Sequence, residues 1–132
     1  MSREDFNSTS IVIKDIMIKA LISVNPTTTA FQISKMMEQG GIGAVLVKEN
    51  DNLVGIITDR DFATKIAASN LPFDTTADKI MSSPLVTINH DEPISTAAEM
   101  MTSKKIRKLA VSDNGKIVGL ITSTDLVTQL AK

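Results

Sequence analysis

Val54-Gly55-Ile56-Ile57-Thr58-Asp59-Arg60-Asp61 returns further along the chain as Val118-Gly119-Leu120-Ile121-Thr122-Ser123-Thr124-Asp125. Working outward from this block, Asp15 to Ala67 aligns without a gap with Lys79 to Ala131, and about 16 of roughly 53 positions are identical. The matches include Ile16-Met17 with Ile80-Met81, Leu21 with Leu85, Met36-Met37 with Met100-Met101, and Ile42 with Ile106. The chain is an internal duplication. Its organisation reads as a tail at residues 1–10, a first repeat at 11–69, a linker at 70–78 and a second repeat at 79–132. Asn70, Pro72 and Asp74 mark Ala68 to Asp78 as loop.

Each copy reads β-α-β-β-α, an α+β pattern. The opening strand is Leu21 to Val24 in the first copy and Leu85 to Ile88 in the second. Thr29-Ala30-Phe31-Gln32 has capping-box spacing, and Pro93 stands where the second copy expects a first helical residue. Ala30, Ile33, Met36 and Met37 recur at helical spacing, as do Ile94, Ala97, Met100 and Met101. The methionines read as core filler. Two strands follow, Gly43 to Lys48 and Asn52 to Ile57, echoed by Leu109 to Val111 and Lys116 to Ile121 around a Ser112-Asp113-Asn114-Gly115 hairpin turn. A closing helix is expected from about Asp59 to Ser69, and from Ser123 to the C-terminus. One such unit makes a poor core alone. The two are therefore expected to pack sheet to sheet with pseudo-twofold symmetry, leaving clefts between them.

Composition excludes several function classes. With 42% apolar residues a core can form. The 14 basic and 15 acidic side chains nearly cancel, so no broad field draws a nucleic-acid backbone or anionic membrane. Four Phe with no Trp or Tyr leave few platforms for stacked bases, and nucleic-acid binding through Lys104 to Lys108 is disfavoured. Without Cys there is neither a disulfide nor a thiolate metal site. No signal-peptide run opens the chain and no stretch is apolar enough to span a bilayer, so a cytoplasmic protein is expected. His90 is alone in an Asn89-His90-Asp91 turn, and no catalytic constellation or metal set is found. No enzyme is expected, and no catalytic cofactor.

The duplicated Thr-x-x-Asp carries the chemistry. Thr at an N-cap with an acidic residue three later is what a helix start prefers in any case. The same spacing also brings hydroxyl and carboxylate together on the first turn. A carboxylate with about four lone-pair sites can accept from two adjacent hydroxyls, which suits the cis-diol of a ribose. A phosphate fits better beside the Thr hydroxyl, the helix-start N–H groups and a nearby cation. Lys104-Lys105-Ile106-Arg107-Lys108 reads either as a solvated face past a helix end or as that cation source.

These residues resemble the CBS-domain pair, or Bateman module. The likeness rests on the tandem β-α-β-β-α repeat, the Gly-apolar-apolar-Thr-x-x-Asp element in each copy, and Asp15-Ile16-Met17 echoed by Lys79-Ile80-Met81. It covers about residues 11 to 132. The resemblance implies a regulatory sensor that binds AMP, ADP, ATP or another adenosine derivative between its repeats and so changes the repeat or dimer arrangement. It implies one cleft formed by Thr122, Asp125, Arg107 and Lys108, with Met17, Leu21, Ile22 and Gly43 around the base. A second would use Thr58 and Asp61, with Met81, Leu85 and Val86 at the base and Arg60 to be borrowed for charge. Gly43-Ala44 stands where the other copy has Arg107-Lys108, so the Asp125 cleft ranks first for phosphate. The family often has Pro at the position of Leu46 or Ala110, and neither copy does. A homodimer is implied, and a regulated partner protein is one reading of the output. The alternative is a protein–protein interaction module with vestigial pockets.

Overall fold

The computed structural model describes residues 11–132, and the tail expected at 1–10 lies outside the described residues. The chain divides into two compact units. One takes the described residues up to Leu21 together with Val86–Lys132, and the other takes Ile22–Leu85. Each therefore joins the sheet and helices of one repeat to the segment that leads into the opposite repeat.

The Ile22–Leu85 unit holds β1 (Ser23–Val24), α1 (Ala30–Gly40), β2 (Ala44–Glu49), β3 (Asn52–Thr58), α2 (Asp59–Asp61), a π-helix (Phe62–Ala67) and α3 (Ala77–Ile80). Strand β1 runs parallel to β2, with α1 as the crossover, and β2 pairs antiparallel with β3. Thr29 and Gln32 begin α1 with reciprocal bonds. The Gln32 amide donates to Thr29 Oγ1 at 3.2 Å and the Thr29 amide to Gln32 Oε1 at 3.0 Å. Gly41 ends it at φ 63°. Val24, Ala30, Ile33, Val45, Val47, Ile57, Ile66, Ala77 and Ile80 form the core.

The other unit repeats the plan with a helical turn at Ile13–Ile16 (α4), β4 (Thr87–Asn89), α5 (Ile94–Lys104), β5 (Lys108–Asp113), β6 (Lys116–Thr122) and α6 (Ser123–Leu130). Strand β4 is parallel to β5 and β5 antiparallel to β6. The hairpin registers break at matching places, Val47/Lys48 and Val111/Ser112, so even the irregularity is duplicated. Its core holds Ile13, Ile88, Ile94, Ala97, Met101, Leu109, Val111, Ile121 and Leu126. Met36, Met37 and Met100 pack against their cores and Met101 lies within one, as expected of filler.

The leading segments are anchored by side chains and backbone alike. Ile13 and Ile80 are fully buried in the two cores, each contributing about 1.5–3 kcal/mol. Ile18 exchanges backbone hydrogen bonds with Leu120, and Ser82 with Ile56.

Four local readings need correction. Pro93 is the N-cap and Ile94 the first helical residue, because Pro93 has ψ 153°, which is extended backbone. The opening strands are shorter than expected, Ser23–Val24 and Thr87–Asn89, the ladder register beginning at Ser23 and Thr87 rather than at Leu21 and Leu85. The first closing helix widens after Asp61 into a π-helix, with the Ala68 amide donating to the Ala63 carbonyl. The stretch read as loop from Ala68 to Asp78 already contains the start of α3 at Ala77. Among the described residues no helix is long and apolar enough to cross a membrane.

Candidate functional site

The duplicated motif lies where the last strand of each sheet runs into a helix. In the unit containing Val86–Lys132, the end of β6 meets the start of β5. Lys108 is the cross-strand partner of Thr122, and the Ser123 amide donates to the Arg107 carbonyl at 2.9 Å. Thr122, Asp125, Arg107 and Lys108 are therefore gathered at one corner of one sheet. Arg107 is exposed and Lys108 half-buried.

Thr122 and Asp125 form a complete capping box. The Thr122 amide donates to Asp125 Oδ2 at 2.8 Å, the Thr122 hydroxyl to the same oxygen at 2.9 Å, and the Asp125 amide to Thr122 Oγ1 at 3.2 Å. The two bonds that reach the carboxylate both end on Oδ2. Among the described residues, Asp125 Oδ1 receives no hydrogen bond and no cation lies within salt-bridge distance of it.

Met17 belongs to the same unit and lies on Gly119. A Cβ at Gly119 would fall 2.6 Å from the Met17 sulfur and 2.9 Å from the Ile18 carbonyl oxygen. The motif glycine is thus required by the segment that crosses it, a role that spacing alone does not reveal. Leu21 is half-buried at the end of this segment. Val86 is half-buried too, and its carbonyl accepts from the Ala110 amide. Ile22 and Gly43, expected near the same base, belong to the Ile22–Leu85 unit. There the exposed Ile22 accepts at its carbonyl from the Leu46 amide.

The Ile22–Leu85 unit places the first copy differently. Thr58 donates to Asp61 Oδ2 through its amide at 2.8 Å and its hydroxyl at 3.3 Å. Asp61 Oδ1, however, is occupied: Lys65 Nζ lies 3.1 Å away and Ser82 Oγ donates at 3.4 Å. The same ammonium donates to the carbonyls of Ile80 at 2.8 Å and Met81 at 3.4 Å. Met81 lies on Gly55, whose added Cβ would meet the Met81 sulfur at 2.6 Å. Leu85 is half-buried and Arg60 exposed, and neither has a side-chain bond among the described residues. Gly43, which takes the place of Arg107, has the Asp59 carboxylate 3.6 Å from where its Cβ would lie.

The basic run resolves into separate parts. Lys104 ends α5, Lys105 takes the left-handed cap position at φ 56°, and Ile106 packs on the core. Only Arg107 and Lys108 reach the motif corner. His90 is less solvated than its turn suggests. Its Nε2 lies 3.3 Å from the carboxylates of both Asp91 and Asp113, and Asp91 is bonded to Lys14 at 3.0 Å. No cluster able to hold a metal ion occurs among the described residues.

With this geometry in place, the relatives are informative. The CBS domain family model matches residues 13–68 and again 77–132. The chain belongs to that family, as a tandem pair of CBS domains. It is 36% identical over 121 residues to an uncharacterized protein of Methanopyrus kandleri, covering 89% of this chain and 62% of that protein. It thus spans less than two thirds of that relative's length. It is 32% identical to the CBS domain-containing protein YhcV of Bacillus subtilis, covering 86% of this chain and 81% of that protein. Among solved structures, an uncharacterized conserved protein from Pyrococcus horikoshii superposes with a TM-score of 0.88 at 30% identity, covering 93% of this chain and 94% of that one. The CBS domain pair of protein MJ0100, in complex with 5-methylthioadenosine and S-adenosyl-L-methionine, superposes with a TM-score of 0.82 at 29% identity, covering 91% and 99%. The α+β reading, with one mixed three-stranded sheet per copy, holds.

Proposed function

We propose that the chain is a cytoplasmic regulatory module, without catalytic activity, that binds an adenosine nucleotide at Thr122 and Asp125. The observation that carries this reading is the half-satisfied Asp125 carboxylate. Oδ2 is held by Thr122, while Oδ1 lacks a donor among the described residues, and Arg107 and Lys108 open the strand that pairs with Thr122. A ribose diol supplies two donors to such a group, and the two cations favour a phosphate or another anionic extension. The complex of the MJ0100 pair with two adenosine derivatives supports the ligand class. Binding would act by population shift, stabilising one arrangement of the repeats or of a homodimer over others.

Thermal unfolding with and without AMP, ATP, S-adenosylmethionine and NADH tests this. A ligand at 100 times its dissociation constant adds about 2.7 kcal/mol of stability. A shift with at least one adenosine derivative is expected, and no shift with any overturns the proposal.

A docking module is the second reading, and one surface favours it. Phe31 and Phe73 are 54% and 69% exposed, and with Phe62 they line a groove of about 360 Å³. That reading gains if no nucleotide stabilises the protein.

A further inference from the structure

Building on the Asp125 reading, we infer that the two copies of the motif have parted roles. Asp125 grips the ligand, whereas Asp61 is a structural tether closed by Lys65, so that the chain holds one nucleoside-type ligand rather than two. A carboxylate offers about four acceptor sites. Asp61 accepts from the Thr58 amide and hydroxyl on Oδ2 and from Ser82 on Oδ1, and the Lys65 ammonium lies against Oδ1 at 3.1 Å. The Lys65 ammonium donates to the carbonyls of Ile80 and Met81 and forms an ion pair with Asp61 Oδ1 at 3.1 Å. Asp61 is only 6% exposed.

A diol reaching Asp61 Oδ1 would have to displace both Lys65 and Ser82. The displaced ammonium, about a third exposed, would then give up its counter-charge and its hold on the Ile80 and Met81 carbonyls, an added cost to binding. Aligned positions in the other copy all differ in the direction that opens the site. Gln129 replaces Lys65, Ile18 replaces Ser82, Ser123 replaces Asp59, and Arg107-Lys108 replaces Gly43-Ala44. Asp59 moreover places a negative charge where Arg107 stands in the second copy, which repels a phosphate. In exchange, Lys65 ties the closing helical segment to the carbonyls of the segment leading into the second repeat.

The test combines calorimetric titration of AMP with amide hydrogen exchange on the full chain and on Asp125→Asn, Asp61→Asn, Lys65→Met and Gln129→Met. One AMP per chain is expected, with affinity lowered at least about tenfold in Asp125→Asn and unchanged within about twofold in Lys65→Met. Lys65→Met should lower Tm and speed exchange at the Met81 and Ser82 amides about tenfold or more, whereas Gln129→Met should do neither. Two AMP per chain in the unaltered protein overturns the assignment. So does an affinity loss in Asp61→Asn equal to that in Asp125→Asn, or unchanged exchange at Met81 and Ser82 in Lys65→Met. Should no variant and no unaltered protein bind AMP, the Asp125 reading fails, and the exchange measurement alone decides the tether.

Discussion

The Met17 sulfur occupies the space that a side chain on Gly119 would need, 2.6 Å from its Cβ position. The Ile18 carbonyl oxygen stands behind it at 2.9 Å. At Gly55 the three nearest atoms all belong to the Met81 side chain; Sδ and Cγ can rotate away, and only Cβ, at 3.1 Å, is held by the backbone. Gly119→Ala must move backbone and should cost about 1–3 kcal/mol, with Gly55→Ala costing clearly less. Urea unfolding of the two variants checks the order. Equal losses would mean that the Ile18 backbone yields as easily as a methionine side chain.

Asp125→Ala removes the acceptor proposed for two ligand hydroxyls. Adenosine-nucleotide affinity should fall at least about tenfold, or about 1.4 kcal/mol. Stability should drop by only about 1 kcal/mol, the worth of a helix cap. Calorimetry paired with thermal unfolding separates the two effects. Unchanged affinity would refute the ribose assignment.

The exposed Lys14–Asp91 pair sets a pH dependence. Its hydrogen bond holds the Asp91 carboxyl below the usual 3.8 and raises the Lys14 ammonium above 10.5. Asp91 has the lowered folded value, so its contribution is present above pH 3.8 and disappears as pH falls through that lowered value. Lys14 has the raised value, so its contribution is present below pH 10.5 and disappears as pH rises through the raised value. Asp91→Asn should flatten both limbs of a Tm-against-pH curve, the more visibly at low salt. Parallel curves for the two proteins would show the pair to be energetically silent.

The two hairpin turns differ at one of their two central residues. Both central residues have positive φ, Asn50 and Asp51 at 51° and 65°, and Asn114 and Gly115 at 52° and 80°. Asp51→Gly should stabilise by about 0.5–1 kcal/mol by relieving the left-handed strain. The Lys48–Asp51 pair it deletes, at 3.9 Å and fully exposed at Asp51, is too weak to reverse the sign. Gly115→Ala should destabilise by about 1 kcal/mol. Opposite signs in chemical denaturation are the expected result, and a loss in both would contradict the turn assignment.

Much of the architecture is legible from spacing because the chain states it twice. The Thr29–Gln32 box, the alternation into Thr58 and Thr122, and the Asn114-Gly115 turn are local signals read within a few residues of themselves. What could not be read is long-range. Lys65 four residues after Asp61 looks like an ordinary solvated helix pair, and only the fold brings it to the Ile80 carbonyl, 15 residues on. Similarly, nothing near Gly119 announces Met17, which arrives from the far end of the alignment. The Asp125 corner was legible as a set of residue types. Its difference from Asp61 depends on which oxygen is occupied, and that is a matter of geometry.

Because residues 11–21 complete a body made mostly of Val86–Lys132, while Ala77–Leu85 complete the other, a cut in the linker would give two fragments that each lack a piece of themselves. Expressed separately, the halves should remain unstructured. Mixed, they should rescue one another. A single copy on its own would meet the same deficit, and a second copy offering its own leading segment is one way to meet it.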